Sequence, residues 1–145
     1  MEKPTVIPEK IHFKDIAPLK ETLDNQYDLV GEELIIAVAQ ATKHSLQKNI
    51  FKISISVILK CSEKIVLDYL YEFTYEVENM KEFLSTDKER PVFTGQLIGT
   101  LLSISYSTMR GILYSKLADT QLRSIILPVI NPNDLLKSRI VQYKS

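Results

Sequence analysis

Between Ile50 and Glu78 the sequence alternates with a period of two, twice in succession. In the first run Phe51, Ile53, Ile55, Val57 and Leu59 fall on one side and Lys52, Ser54, Ser56 and Lys60 on the other, with Ile58 the one apolar exception. In the second, Ile65, Leu67, Tyr69, Tyr71, Phe73, Tyr75 and Val77 share a side, opposite Asp68, Glu72, Thr74, Glu76 and Glu78. Successive strand residues point to opposite faces, so both runs read as strands with one apolar and one wetted face. Cys61-Ser-Glu-Lys64 is short enough to turn the chain between them. A slip of one residue would turn the whole apolar set of the second run into water, so the register of this hairpin is strongly specified.

The rest of the chain arranges itself around that hairpin. Met1–Lys10 carries Pro4 and Pro8 among charged residues and reads as a mobile arm. Ile11 to Ile16 reads as a short edge strand, because Pro18 blocks a central one. Asn25 to Gly31 is rich in turn formers. Glu33 to Thr42 reads as a strand apolar on both faces, hence deeply buried, and Lys43–Asn49 as its polar connection to the hairpin. Beyond Glu78 a polar stretch is interrupted by Met80, Phe83 and Leu84 and ends near Pro91 and Phe93.

From Leu97 to Leu117 apolar residues recur at steps of three and four, the period of a helix of about five or six turns. Thr94 is its candidate cap. Gly99 and Gly111 each cost about 0.5–1 kcal/mol against alanine, which close packing on the sheet or against a second subunit could offset. Ile125–Ile130, broken by Pro128, reads as extended. Asn131-Pro132-Asn133-Asp134 then starts a final helix, with a capping Asn, a Pro at the first helical position and an acid near the positive end of the dipole. Lys137, Arg139 and Lys144 make a basic tail suited to that helix's C-terminus. The expected architecture is α+β: one domain over 11–145 after a flexible arm over 1–10, with a four-stranded antiparallel meander, a long helix on one face and a short C-terminal helix.

Composition excludes several classes. Lys plus Arg equals Asp plus Glu at 18 each, so there is no net attraction to nucleic acid or an acidic membrane. One cysteine and two histidines are too few for a zinc spacing, and four glycines make no phosphate loop. No run approaches the ~20 apolar residues of a membrane span, and the first residues lack a signal-peptide core. The expectation is a cytoplasmic protein without cofactor, nucleic acid or membrane insertion. His12, His44 and Cys61, the last a possible surface thiol at the hairpin turn, form no nucleophile system, so no enzymatic activity is expected.

The order of strands, long helix, apolar Pro-containing segment and short helix resembles that of the SecB protein-export chaperone family. The most specific wording is Ser105-Tyr-Ser-Thr-Met-Arg-Gly-Ile-Leu-Tyr114 followed by Ile126-Leu-Pro-Val-Ile-Asn-Pro-Asn-Asp-Leu-Leu136. Arg110 matches the family's helix arginine, and Leu127, Pro128 and Asn131 match its second motif. The resemblance runs from about Ile11 to Leu136. It implies a homotetramer, a dimer of dimers, that holds unfolded polypeptide clients in long apolar grooves without nucleotide, in protein transport. The departures are informative. Export-dedicated members are acidic and often end in a metal-binding tail that contacts the translocation ATPase, whereas this chain is neutral and ends Gln142-Tyr-Lys-Ser145, which argues against direct delivery to that ATPase. Relatives acting with toxin-antitoxin pairs make a dedicated chaperone an equal alternative. A non-chaperone scaffold or regulatory protein with one fixed partner is a third.

Candidate sites follow. Aromatic side chains suit client binding because they bury much area at little conformational cost. Tyr71 and Phe73 on the second strand, and Phe83 and Phe93 in the connection, are the candidates, with core packing the competing reading for the strand pair. Asp68, Glu72 and Glu76 form an acidic row that resembles the family's partner-contacting sheet surface, with an ordinary solvated face as the favoured reading. Gly99, Ser103 and Arg110 are candidates for a subunit interface, with a contact inside the chain as the alternative for Arg110.

Overall fold

The computed structural model describes residues 5–24, 33–85, 92–93, 95–138 and 140–144. In chain order the elements are β1 (Ile11–Leu23), β2 (Leu34–Ser45), β3 (Ile50–Cys61), β4 (Lys64–Val77), a 3-10 turn (Met80–Phe83), β5 (Leu84–Ser85), β6 (Val92–Phe93), α1 (Gly95–Leu117), α2 (Pro132–Ser138) and β7 (Ile140–Lys144). Five strands form one antiparallel sheet in the order β1-β4-β3-β2-β7, and β5 and β6 pair separately. The expected hairpin is β3–β4, in register from Ile50↔Glu76 to Cys61↔Lys64. With β2 it makes a three-stranded meander, and β1 returns to lie beside β4 in Greek-key fashion.

The alternation is realised with one reversal. Leu59 pairs with Leu67 but Lys60 with Ile65, so Val66 is the extra residue of a bulge. Val66 and Leu67 are consequently both buried, while Ile65, expected on the apolar face, is 47% exposed. Phe51, Ile53, Ile55 and Val57 of β3 and Phe73, Tyr75 and Val77 of β4 are fully buried beneath α1. Cys61 is buried too rather than at the surface, because its register opposite Leu34 puts it on that same face.

Two expectations need correction at the margins. The edge strand β1 runs on to Leu23 instead of stopping at Ile16. Pro18 is tolerated because β1 has only one neighbour, and a register shift between Pro18 and Lys20 absorbs it. The residues after the last helix continue as a fifth strand, β7, paired with β2. In the described part of the arm, Pro8–Lys10 forms a 3-10 turn, the Glu78 amide donates to the Lys10 carbonyl, and Val6 packs half-buried against the core. The expected turn at Asn25–Gly31 and the Thr94 cap lie outside the described residues.

α1 buries Leu97, Leu101, Leu102, Ser105, Tyr106, Met109, Leu113 and Leu117, an i, i+4 stripe facing the sheet. Each large apolar side chain in such a stripe contributes about 1.5–3 kcal/mol over exposure. Gly99 and Gly111 lie off that stripe. A Cβ at either would meet nothing within 4 Å, so their cost is not offset by packing on this chain's own sheet. Asn131 caps α2 as expected, its Oδ1 accepting from the Asn133 amide at 3.0 Å.

Candidate functional site

A strand at a sheet edge extends beyond what one helix can cover, and here that leaves an apolar groove. On β1 the residues facing α1 include Ile11, Phe13 and Ile16, opposite Val77, Tyr75 and Phe73 of β4. Phe13 is 42% and Ile16 39% exposed, although the β4 residues beside them are fully buried. Across from Phe13, Thr100 and Ile104 of α1 form the second wall. Val6, Pro8, Ile11, Phe13, Tyr75, Thr100 and Ile104 together enclose a hollow of about 220 Å3 that opens to solvent.

The walls continue past this hollow. Thr100, Ile104, Thr108, Ile112 and Lys116 follow at four-residue steps and share one side of α1. The stripe starts beside Phe13 and ends beside Glu21 of β1, which Lys116 Nζ meets at 2.8 Å. Tyr71 also donates its hydroxyl to Glu21. The groove is thus bounded by the arm at one end and by a Lys116–Glu21–Tyr71 clasp at the other. Its floor is an aromatic ladder. Tyr69 stacks on Tyr71 at 6.3 Å, Tyr71 lies 6.5 Å from Phe73, and Phe13 leans over Phe73 at 6.1 Å and Tyr75 at 4.8 Å.

Electrostatics keep this floor neutral. Burial pushes the Tyr75 hydroxyl up to about 12, although its bond to Ser105 Oγ at 2.7 Å works in the other direction. Burial, then the Glu21 carboxylate, pushes Tyr71 to about 12 as well. Glu21 is held below the usual carboxylate range by its bonds from Lys116 and Tyr71, and Lys116 is raised in turn by Glu21. The groove therefore presents aromatic and aliphatic surface, with its one charge pair at an end.

The sequence-derived candidates distribute unevenly around it. Tyr71 and Phe73 belong to the floor but are buried within the chain. Phe83 closes the 3-10 turn, also buried. Phe93 is half-buried, edge-on to Phe51 at 4.8 Å and to His44 at 4.9 Å. Sequence reasoning did not single out Phe13, Val6 or Ile104. The available signal was the apolar alternation of Ile11 and Phe13 on a strand already assigned to an edge.

The remaining candidates lie elsewhere. Asp68 and Glu72 sit on the opposite face of the sheet, beside Lys20 at 2.6 Å and Lys52 at 3.5 Å, and Glu76 is in register with His12 and Ile50. Gly99 and Ser103 line a polar hollow of about 230 Å3 with Gly95, Gln96, Thr100, Asn131 and Asn133. Arg110 bonds within the chain, Nε donating to the Leu127 carbonyl at 3.0 Å, while the Tyr106 hydroxyl donates to the Pro128 carbonyl at 2.6 Å. The two motifs that carried the family resemblance thus hold each other. His12 lies 3.6 Å from Glu78, and among the described residues no group of three His, Cys, Asp or Glu is placed to hold a metal. No helix among them is long and apolar enough to cross a membrane.

Neither protein families nor curated proteins give a sequence match to this chain. Among solved structures it is similar to the SecB-like chaperone Rv1957 of Mycobacterium tuberculosis, determined in complex with a ChAD peptide from the Rv1956 HigA1 antitoxin. That similarity has a TM-score of 0.58 at 15% identity and covers 84% of this chain and 91% of that one. With its antiparallel sheet, long covering helix and short C-terminal helix, the chain has the SecB-like α+β fold.

Proposed function

We propose that this protein is a SecB-like chaperone that holds extended, unfolded polypeptide in the groove between β1 and α1, without nucleotide and without catalysis. The observation that carries the reading is the solvent-open apolar hollow of about 220 Å3 on this fold. Apolar client segments gain about 25 cal/mol per Å2 on leaving water, while ordering of the client limits the net affinity. Phe13, Ile16 and Ile104 make the primary contacts. Tyr71 and Phe73 act as floor, and Phe83, buried, and Phe93, half-buried, are secondary contacts.

A dedicated chaperone of a toxin-antitoxin pair is an equal reading, favoured by the antitoxin peptide in the Rv1957 complex. The scaffold alternative uses the same groove for one fixed partner. Under any of them we place the protein in the cytoplasm as a homo-oligomer. Its contact is the outer side of α1, where Gly99, Ser103 and Gly111 are open and Tyr114 is exposed, together with the exposed Ile126 and Val129 of the segment between α1 and α2. A partner-binding role for Asp68 and Glu72 requires displacing Lys20 and Lys52, which weighs against delivery to the translocation ATPase and export.

The test is light scattering of several unrelated, chemically unfolded proteins diluted with and without this chain, together with its solution mass. Suppression across all of them by a tetramer supports the general holdase. Suppression of one client class alone supports the dedicated chaperone. No suppression by a well-folded chain removes the holding function.

A further inference from the structure

The arm that precedes β1 lines the groove with two of its own residues. Val6 and Pro8 face the same hollow of about 220 Å3 as Phe13, Thr100 and Ile104. Seven residues of extended chain would carry Val6 about 23–25 Å from Phe13, so the chain must double back to bring both to one hollow. The 3-10 turn Pro8–Lys10 supplies the reversal. Pro8 presets its first residue, the Lys10 amide donates to the Ile7 carbonyl at 3.0 Å, and the Ile11 amide donates to the Pro8 carbonyl.

The root and the tip of this arm are held by different forces. The root is fixed to the sheet by the bond from the Glu78 amide to the Lys10 carbonyl, at 3.0 Å. Upstream, among the described residues, the main chain of residues 5–7 bonds only to the turn that follows, and Val6 is held by the half-burial of its side chain against the core. Ile7 is extended, at φ −111° and ψ 108°. The tip is thus an extended, β-branched segment seated by side chains alone on the wall of an apolar groove.

We propose that residues 6–8 are an autoinhibitory strap over the Phe13 end of the groove, which an incoming polypeptide must lift to reach Phe13 and Ile104. The inference rests on the holding role proposed above for that groove. A half-buried valine holds the strap weakly, so it lowers a client's apparent affinity about fivefold by being seated about four-fifths of the time. Ile16 lies outside the hollow and is 39% exposed, so it stays open to first contact while the strap is seated. Hinging at Pro8–Lys10 releases the tip without breaking the ladder of β1 on β4, which begins at Ile11. Only segments offering more apolar surface than the strap hold the groove open.

The test compares the full chain with one lacking residues 2–7, with circular dichroism to verify folding, and uses a labelled, reduced and carboxymethylated ribonuclease without tryptophan as the unfolded client. The shortened chain is expected to bind it about fivefold tighter in fluorescence anisotropy. The protein has no tryptophan of its own, so Val6→Trp reports the strap directly. Its emission is expected to be blue-shifted in the free chain and to move to the red as client saturates the groove. Equal affinity of the two chains, or emission unchanged by saturating client, overturns the strap. Emission already red without client overturns the strap alone and leaves the holding function standing. Absence of client binding by either chain removes the holding function and the strap with it. Should the shortened chain fail to fold, Val6→Ser in the full chain decides, with tighter client binding expected and binding equal to the parent's overturning the inference.

Discussion

β3 and β1 present the same alternation to the same helix and meet opposite fates. Phe51, Ile53, Ile55 and Val57 of β3 lie directly beneath α1 with no exposure, whereas Phe13 and Ile16 of β1, on the same face of the sheet, keep about two-fifths of their surface in water. The difference is position in the sheet, not residue type: β3 is central and β1 is an edge. A single helix covers the middle of a five-stranded sheet, so the same apolar code writes core in one strand and the wall of a groove in the other.

Substitutions sharpen that comparison in decreasing order of their effect on stability. Phe73→Ala, in the covered floor, is expected to cost about 3–5 kcal/mol in chemical denaturation, as for other fully buried aromatics. Tyr75→Phe strands the buried Ser105 hydroxyl and is expected to cost about 1–2 kcal/mol. It should also change the alkaline limb. Folded Tyr75 holds its proton up to about 12 against an ordinary value of 10.0, so its contribution is intact below pH 10 and lost as pH rises from 10 through 12. The variant should lose less stability across that window than the parent does.

Phe13→Ser reverses the pattern. Its stability cost is expected to be about 1 kcal/mol or less, because the side chain is already partly wet, yet it should weaken client holding roughly tenfold in the scattering assay. Equal client binding by Phe13→Ser would break the distinction between core and groove wall. The smallest effect belongs to the clasp. Lys116→Ala removes a pair on exposed side chains, expected to be worth about 0.5 kcal/mol or less and to fade with salt. The Glu21 carboxylate is depressed, so its contribution is present above its ordinary value near 4.5 and disappears as pH falls through the lowered one. Lys116→Ala should therefore flatten the acid limb slightly.

Much of this was legible because period and burial agree over long runs. The β3–β4 hairpin, β2 and α1 were readable from alternation and from steps of three and four, and α2 from Asn131 and Pro132. What was not legible depended on context. The bulge at Val66 that turns Ile65 outward leaves no mark in the composition of its strand. The continuation of β1 past Pro18 depends on its having a neighbour on one side only, which is a property of the sheet. β7 is too short, and too close to a helix signal, to announce itself. The groove shares this difficulty. Aromatic residues drew attention to Tyr71, Phe73 and Phe83, which the fold buries, while Phe13 and Val6 become wall residues only through where β1 and the arm come to rest.

The bonds along α1 give the groove two walls of unequal stiffness. The helix is riveted by Tyr75 to Ser105 and by Tyr106 and Arg110 to the backbone of Pro128 and Leu127. The facing wall is a strand laddered on one side, twice out of step and interrupted by a proline. If the groove holds polypeptide as proposed, bulkier cargo is expected to be accommodated on the strand side, with the helix serving as the fixed jaw of a vice and β1 as the yielding one.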